Sequence, residues 1–150
     1  MKTHFACAVI YRASPANGEL EFLVFDYHST NPRTGVRTLK QVKFPGGVNR
    51  RYPDESVAMT LAREVWEETH LALVKSKEIW RKEMAADHIK YGFLVNFDDC
   101  RGEPRRLPIV DDDGNELGSP RWAPASILGR SLYYSHQEVY LVACRELRIF

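Results

Sequence analysis

The chain has 150 residues, of which 44% are hydrophobic and 27% are charged, and this size and composition predict a single domain with its own hydrophobic core. Its formal net charge of +1 gives no overall field that would favour nucleic acid or an anionic membrane, so an anionic ligand must be attracted locally. Three widely spaced cysteines without a CxxC pair argue against a disulfide framework or a structural zinc site, and we expect a cytoplasmic protein with reduced thiols.

The first part of the chain predicts a β-hairpin. Two apolar runs rich in strand formers, 5–11 and 20–27, flank a turn-prone segment that contains proline, asparagine and glycine. The polar segment 28–37 is expected to be a mobile loop, and 40–44 a short strand that stops at Pro45. We expect no signal peptide and no membrane span, since no apolar stretch approaches the roughly 20 residues that cross a bilayer.

The second part predicts a helix and then further strands. Apolar residues recur at helical spacing over 54–69, and Pro53 and Asp54 supply a start signal. Beyond this helix the pattern predicts two strands, an acidic surface loop and a second packed helix, over 73–85, 88–97, 111–118 and 135–147. The order of strands and helices indicates mixed α/β layers.

Three glutamates of the predicted helix share one face. Glu64, Glu67 and Glu68 stand at i, i+3 and i+4, so their carboxylates project within about 100° of arc. Like charges at this spacing cost an isolated helix roughly 0.2 to 0.5 kcal/mol per pair, so a cation should offset the repulsion. A hard divalent cation binds carboxylate oxygens and can retain phosphate oxygens in its shell. The cluster therefore predicts phosphate chemistry.

Two glycines precede this helix. Because Gly46 and Gly47 lack a Cβ, the backbone can approach a ligand or metal closely, and a backbone carbonyl becomes a feasible metal ligand.

The segment from Phe44 to Leu71 resembles the signature of the MutT/Nudix family. That signature is a glycine, five residues, a glutamate, seven residues, and then Arg-Glu-apolar-x-Glu-Glu-x-Gly-apolar. The residues that match by type are Gly47, Glu55, Arg63, Glu64, Val65, Glu67, Glu68 and Leu71. Seven residues instead of five separate Gly47 from Glu55, and His70 replaces the last glycine. We expect His70 to adopt the left-handed conformation at a conformational cost.

The resemblance implies the Nudix α/β/α sandwich, with a mixed sheet between helices and a catalytic helix over 55–69. It also implies Mg²⁺-dependent hydrolysis of a phosphoanhydride bond in a nucleoside diphosphate derivative, with Mn²⁺ as a substitute metal. The metal ligands carried over by position are the carboxylates of Glu64, Glu67 and Glu68 and the carbonyl of Gly46. Arg63 would orient these carboxylates, while Glu55 and Gly47 would support the motif.

The general base and the substrate contacts stay open at this stage. The family often places one more acid shortly before a tryptophan, and Glu116 precedes Trp122 in this way, so either Glu64 or Glu116 would take the proton. The residues that could meet phosphates are Lys40, Lys43, Arg50 and Arg51, and those that could stack on a base are Phe25, Tyr27 and Tyr91.

Other conspicuous residues have a plainer interpretation. We expect the acidic run 111–113 to be solvated loop surface. We expect structural or packing roles for His28, His88, His136, Trp66 and Trp122.

Several functions share this signature. Oxidised-nucleotide sanitisers and hydrolases of dinucleoside polyphosphates, nucleotide sugars or RNA 5′ ends differ in loops outside it, such as 28–37 and 101–118. A non-catalytic module that binds a nucleotide or ADP-ribose is the alternative from another class, and an isomerase is a third. The expected partner is a small-molecule nucleotide. No nucleic acid is expected, although an RNA 5′ end stays open, as does a homodimer, since many family members are dimers.

Overall fold

The computed structural model describes residues 2–149 and has a mixed sheet of nine strands at its centre. The strands in chain order are β1 (Thr3–Ala13), β2 (Leu20–His28), β3 (Gln41–Lys43), β4 (Gly46–Val48), β5 (Ala72–Leu73), β6 (Lys77–Glu83), β7 (His88–Asn96), β8 (Cys100–Arg101), β9 (Ile109–Val110), β10 (Glu116–Leu117) and β11 (Arg121–Pro124). The helices are α1 (Val57–Thr69), α2 (Ala125–Ser131) and α3 (Tyr134–Glu146). Strands β5 and β8 pair only with each other, and the remaining strands form the large sheet.

Strand β1 lies in the middle of this sheet. It pairs in parallel with β7 and antiparallel with β2 and β4. The run Ala6–Ile10 is buried on both faces, because successive side chains of a strand point to opposite sides. Its even-numbered residues share a core cluster with Leu61 and Val65 of α1, and its odd-numbered residues share one with Val139 and Ala143 of α3. The predicted α/β/α sandwich with a mixed sheet is thereby confirmed.

The N-terminal hairpin forms as predicted, with Tyr11 opposite Phe22. Strand β4, by contrast, was not predicted, because a proline followed by two glycines indicates the end of a strand. The chain nevertheless returns to the sheet at once, and the Ala8 N–H donates to the Pro45 carbonyl (2.8 Å). This pairing with β1 is a long-range contact that the local composition does not contain.

The prediction for the start of α1 was wrong by three residues. The helix begins at Val57, and the Ser56 hydroxyl caps it by accepting a hydrogen bond from the Met59 N–H (3.2 Å). The predicted start lies in a preceding turn, in which the Glu55 N–H donates to the Tyr52 carbonyl (3.0 Å). Glu55 therefore precedes the helix. At the other end His70 has φ 65° and ψ 22°, which confirms the left-handed conformation.

The second half also departs from the prediction in places. The strand predicted over 73–85 is two strands, since Leu73 pairs with Cys100 of β8 before β6 begins. The predicted loop 111–118 contains β10, whose Glu116 lies opposite His28. Helix α2 was missed because seven residues are too short for a periodic signal, whereas α3 agrees with the prediction to one residue at each end. Within residues 2–149 no helix is long and apolar enough to cross a membrane.

Candidate active site

A cavity of about 760 Å³ opens where α1, β4 and the segment around β9 and β10 meet. This volume is in the range of about 300 to 1,000 Å³ that is typical of small-molecule sites. The predicted site residues in its wall are Lys43, Gly46, Gly47, Arg50, Arg51, Arg63, Glu64, Glu67 and Glu68. Three others, Lys40, Glu55 and Glu116, are not part of the wall.

Glu55 and Arg63 form a two-pronged ion pair beside the cavity. Arg63 donates from Nε to Oε2 of Glu55 (2.8 Å) and from Nη2 to Oε1 (3.0 Å). Thr60 adds a hydrogen bond from its hydroxyl to Oε1 (3.0 Å). The hydrogen bond from Arg63 holds the pKa of Glu55 below its usual value. The guanidinium, which also lies over the Tyr52 ring at 4.6 Å, is therefore held in one orientation.

The same guanidinium reaches two of the predicted metal ligands. Its Nη1 donates to Oε1 of Glu64 (2.9 Å) and to Oε2 of Glu67 (3.3 Å). The Glu64 side chain is 15% exposed and the Glu67 side chain 51% exposed. Burial raises the pKa of Glu64 above its usual value, although Arg63 opposes that effect. Arg63 thus links the turn before α1 to the carboxylates on α1.

Glu68 is held from the opposite side by Gly46. Gly46 faces Cys7 of β1 at a position without direct ladder bonds, because the adjacent bond runs from Ala8 to Pro45. The N–H and C=O of Gly46 therefore both point away from β1. The N–H donates to Oε1 of Glu68 (2.7 Å). The Gly46 carbonyl consequently lies on the edge of β4 that faces the site.

Glu64 and Glu68 form a crowded pair of acids. Burial raises the pKa of Glu68 well above its usual value, and the neighbouring Glu64 charge raises it further. Lys43 and the Gly46 N–H act in the opposite direction. A Cβ at Gly47 would overlap the Glu64 carboxylate, so a larger residue there would displace that group from its present position.

The donor set fits a hard divalent cation. Two half-buried carboxylates repel each other beside a backbone carbonyl, and oxygen ligands of this kind suit Mg²⁺ or Mn²⁺. Among residues 2–149, however, no three acid, histidine or cysteine side chains already converge at metal-ligand distance. Arg63 occupies one oxygen of Glu64 and one of Glu67, so a metal at this site would use their second oxygens or require these side chains to turn toward Glu68.

Arg105 is a buried residue that the sequence did not single out. Its Nε donates to the Glu68 carbonyl (2.6 Å), its Nη1 to the Leu107 carbonyl (2.5 Å) and its Nη2 to the Gly118 carbonyl (2.9 Å). Its backbone N–H donates to the Thr69 carbonyl (2.8 Å). A cation here satisfies the last carbonyls of α1 and complements the helix dipole. No local pattern marks Arg105, because all its partners except Leu107 are distant in the chain.

The basic residues divide between the back of the cavity and its rim. The Lys43 amine lies over the rings of Tyr27 (3.8 Å) and Tyr133 (4.7 Å), and burial lowers its pKa from the usual value. At the rim, Arg51 forms exposed ion pairs with Asp112 (2.9 Å) and Asp113 (2.8 Å). The acidic run thus lies in the cavity wall, paired across the opening.

Glu116 lies outside the cavity and forms an ion pair with Arg37 (2.5 Å). Its chain neighbours Asn115 and Leu117 do line the wall, since side chains alternate along β10. A role for Glu116 as general base remains a prediction, and it requires Arg37 to release the carboxylate. Asp111 lines the wall, but both its oxygens accept hydrogen bonds within its own turn.

Of the three residues predicted to stack on a base, two lie in the cavity wall and one does not. Phe25 and Tyr27 belong to the cavity wall, and Tyr91 lies on the other side of β1, beside His4.

Comparison with known proteins adds the class of fold. No protein-family model and no curated protein sequence matches the chain. Solved structures do match over nearly the whole length. A MutT structure from work on Aliivibrio salmonicida and Vibrio cholerae has 15% identity and a TM-score of 0.65, covering 97% of this chain and 99% of that one. The MutT Nudix hydrolase of Burkholderia pseudomallei has 20% identity and a TM-score of 0.62, with 93% and 95% covered.

A third structure is the Nudix domain of Shewanella oneidensis NrtR complexed with ADP ribose. It has 17% identity and a TM-score of 0.65, with 98% of this chain and 89% of that chain covered. The chain therefore has the Nudix fold. The resemblance that rested on the signature around α1 is confirmed at the level of the fold.

Proposed function

We propose that the protein is a Mg²⁺-dependent hydrolase of a phosphoanhydride bond in a nucleoside diphosphate derivative. One observation carries the proposal: Glu64 and Glu68 crowd together in the wall of a cavity that also contains Lys43, Arg50 and Arg51. Carboxylates that suit a divalent cation thus lie beside lysine and arginine side chains that suit phosphate groups. The similar solved structures include MutT proteins and an ADP compounds hydrolase, which supports this choice.

The metal-binding residues of the proposal are Glu64, Glu67 and Glu68, with the Gly46 carbonyl. A bound Mg²⁺ would neutralise charge on the phosphate oxygens and lower the pKa of a bound water, and Mn²⁺ could replace it. Arg63 keeps its ion pair with Glu55 and releases the carboxylates of Glu64 and Glu67 to the metal. The guanidinium therefore stays in place while the two carboxylates change orientation.

In this proposal Glu64 is the general base that takes the proton from the attacking water. Its carboxylate lies in the cavity wall, where it can meet a water beside the phosphate groups, whereas Glu116 lies outside the wall. Glu116 is the second candidate for this role. Lys43 and Arg50 would neutralise the phosphates, and Arg51 would join them by exchanging its exposed aspartate partners for phosphate oxygens.

The volume of the cavity indicates which compounds should be tested as substrates. Its volume accommodates a nucleoside triphosphate, a dinucleoside polyphosphate, ADP-ribose or a nucleotide sugar. The test is to incubate the protein with Mg²⁺ and each compound and to measure the released phosphate products. We expect turnover of at least one class.

Two variants make this test specific. Glu68→Gln keeps the shape of the side chain and removes its charge, so turnover should be lost. Glu103→Gln makes the same change at an exposed site far from the cavity wall and should retain activity. Turnover that survives in Glu68→Gln would contradict the proposed role of the acid cluster.

The second candidate is a module that binds a nucleotide or ADP-ribose without cleaving it. The aromatic and basic residues of the cavity wall would suit a bound nucleotide in such a module as well, and this binding needs no metal ligands. The Nudix domain of NrtR is solved with ADP ribose. ADP-ribose binding without turnover of any compound in the panel would select the binding module.

A further inference from the structure

His136 forms part of the cavity wall at the start of α3. Its ring stacks on Phe44, with centroids 5.8 Å apart and planes 5° apart. Phe5 and Tyr133 pack against it at 6.0 Å each. The side chain is only 5% exposed, so its orientation is determined by packing.

The hydrogen bonding of His136 decides which ring nitrogen carries the proton. The Phe44 backbone N–H donates to Nδ1 (3.1 Å), so Nδ1 is the acceptor and the proton of the neutral ring is on Nε2. Burial, together with the charges of Lys43 and Lys90, lowers the pKa of His136 to about 3. The ring is therefore a neutral donor with one N–H still free.

That N–H is accessible to a ligand. Among residues 2–149 Nε2 has no hydrogen-bond partner. In the same range, every buried side-chain nitrogen or oxygen that is fully removed from solvent does have one. Nε2 therefore keeps some exposed surface, and the cavity is the pocket that His136 lines. The nearby wall contains the rings of Phe5, Phe44 and Tyr27, which suit a flat base, and the Lys43 amine over the Tyr27 ring.

We propose that His136 donates a hydrogen bond from Nε2 to an oxo group on the base of the bound nucleotide, and that it thereby selects oxo bases over amino bases. This inference rests on the proposed function, because it requires the cavity to hold a nucleotide. An amino group at the same place would put donor against donor and leave the Nε2 N–H unpaired. A phosphate oxygen near Lys43 could accept from the same N–H, and the pyrophosphate arm of the test below distinguishes that occupant from a base.

Calorimetric binding to the whole 150-residue chain tests the inference with two ligand pairs. Inosine and adenosine diphosphates differ at the six-position, where one has an oxo group and the other an amino group, and uridine and cytidine diphosphates differ similarly. We expect the oxo base of at least one pair to bind about tenfold more tightly, as one net hydrogen bond and one avoided mismatch would give. Equal affinities within both pairs would overturn the inference, and this comparison needs no variant.

His136→Asn makes the assignment residue-specific. The shorter amide can still accept from the Phe44 N–H but does not reach as far as Nε2. We expect the preference to fall to about twofold or less, with affinity for the amino base and for inorganic pyrophosphate retained. His88→Asn is the matched control, since His88 lies outside this cavity.

Equal loss of affinity for both bases and for pyrophosphate in His136→Asn would also overturn the inference, because it would indicate a structural or anion-binding role. Failure of the proposed hydrolysis would appear differently, as absent turnover with the base preference intact.

Discussion

The two sides of the cavity are held together in different ways. On the α1 side, Arg63 and Glu55 are 20% and 11% exposed and share two hydrogen bonds, so their pairing loses little to solvent. On the opposite rim, Arg51 reaches Asp112 and Asp113 through side chains that are 56% to 88% exposed. Exposed pairs of this kind are worth at most about 1 kcal/mol. The comparison indicates a rigid side at α1 and an adaptable side at the rim, which under the proposed function would serve the chemistry and the ligand.

The largest effect should come from replacing the centre of the rigid side. Arg63→Lys keeps the charge but cannot make the two-pronged contact with Glu55 while also reaching Glu64. We expect turnover to fall by about 10- to 100-fold, as for other residues that orient metal ligands. Steady-state kinetics with whichever compound of the substrate panel is turned over checks this prediction. Arg106→Lys, on an exposed residue, is the control, and unchanged kinetics in Arg63→Lys would mean that the ion pair has no catalytic role.

A second effect should appear in stability. Arg105→Met removes a buried cation and leaves carbonyls at Glu68 and Gly118 without their donors. Each unsatisfied buried group costs about 1 to 3 kcal/mol, so urea unfolding should shift clearly to lower concentration. Arg106→Met is the control, because that neighbour is 89% exposed. Equal stability of the two variants would contradict the anchoring of the end of α1 by Arg105.

The pH dependence of the free energy of unfolding should reveal the contribution of His136 in the back wall of the cavity. The pKa of His136 is lowered to about 3 from 6.5, so the unfolded chain binds more protons there than the folded one between these values. Stability should therefore fall as pH decreases from 6.5 toward 3, with a slope from this residue of at most about 1.4 kcal/mol per pH unit. Unfolding measured at several pH values should show a shallower dependence in His136→Asn. An unchanged slope in that variant would argue against a buried neutral ring.

The smallest effect belongs to the adaptable rim. Arg51→Gln breaks two exposed ion pairs, and we expect the free energy of unfolding to change by less than about 1 kcal/mol. If Arg51 exchanges its aspartate partners for phosphate, KM should rise several-fold while kcat stays similar. A fall in kcat with constant KM would place Arg51 with the rigid side instead.

Much of the fold was predictable because its signals are local. The apolar run of β1, the turn after it and the helical spacing of α1 each lie within a few residues of one another. The same holds for the three glutamates of α1 and for His70, whose left-handed conformation follows from its place at the end of the helix. The start of α1 was less predictable, because Ser56 competed as a cap with an equally plausible Asp54.

The sequence by itself determined the first strand, the acidic helix and its spacing, and the family resemblance carried by that helix indicated the fold class. Only the tertiary structure decided that Gly46 returns to β1 and binds Glu68, that Arg105 anchors the end of α1, and that His136 lines the cavity. It also placed Glu116 outside the wall and the acidic run inside it. The physical reason is distance along the chain: hydrophobic periodicity and capping act within one or two turns, whereas these contacts join segments tens of residues apart, and only packing brings those together.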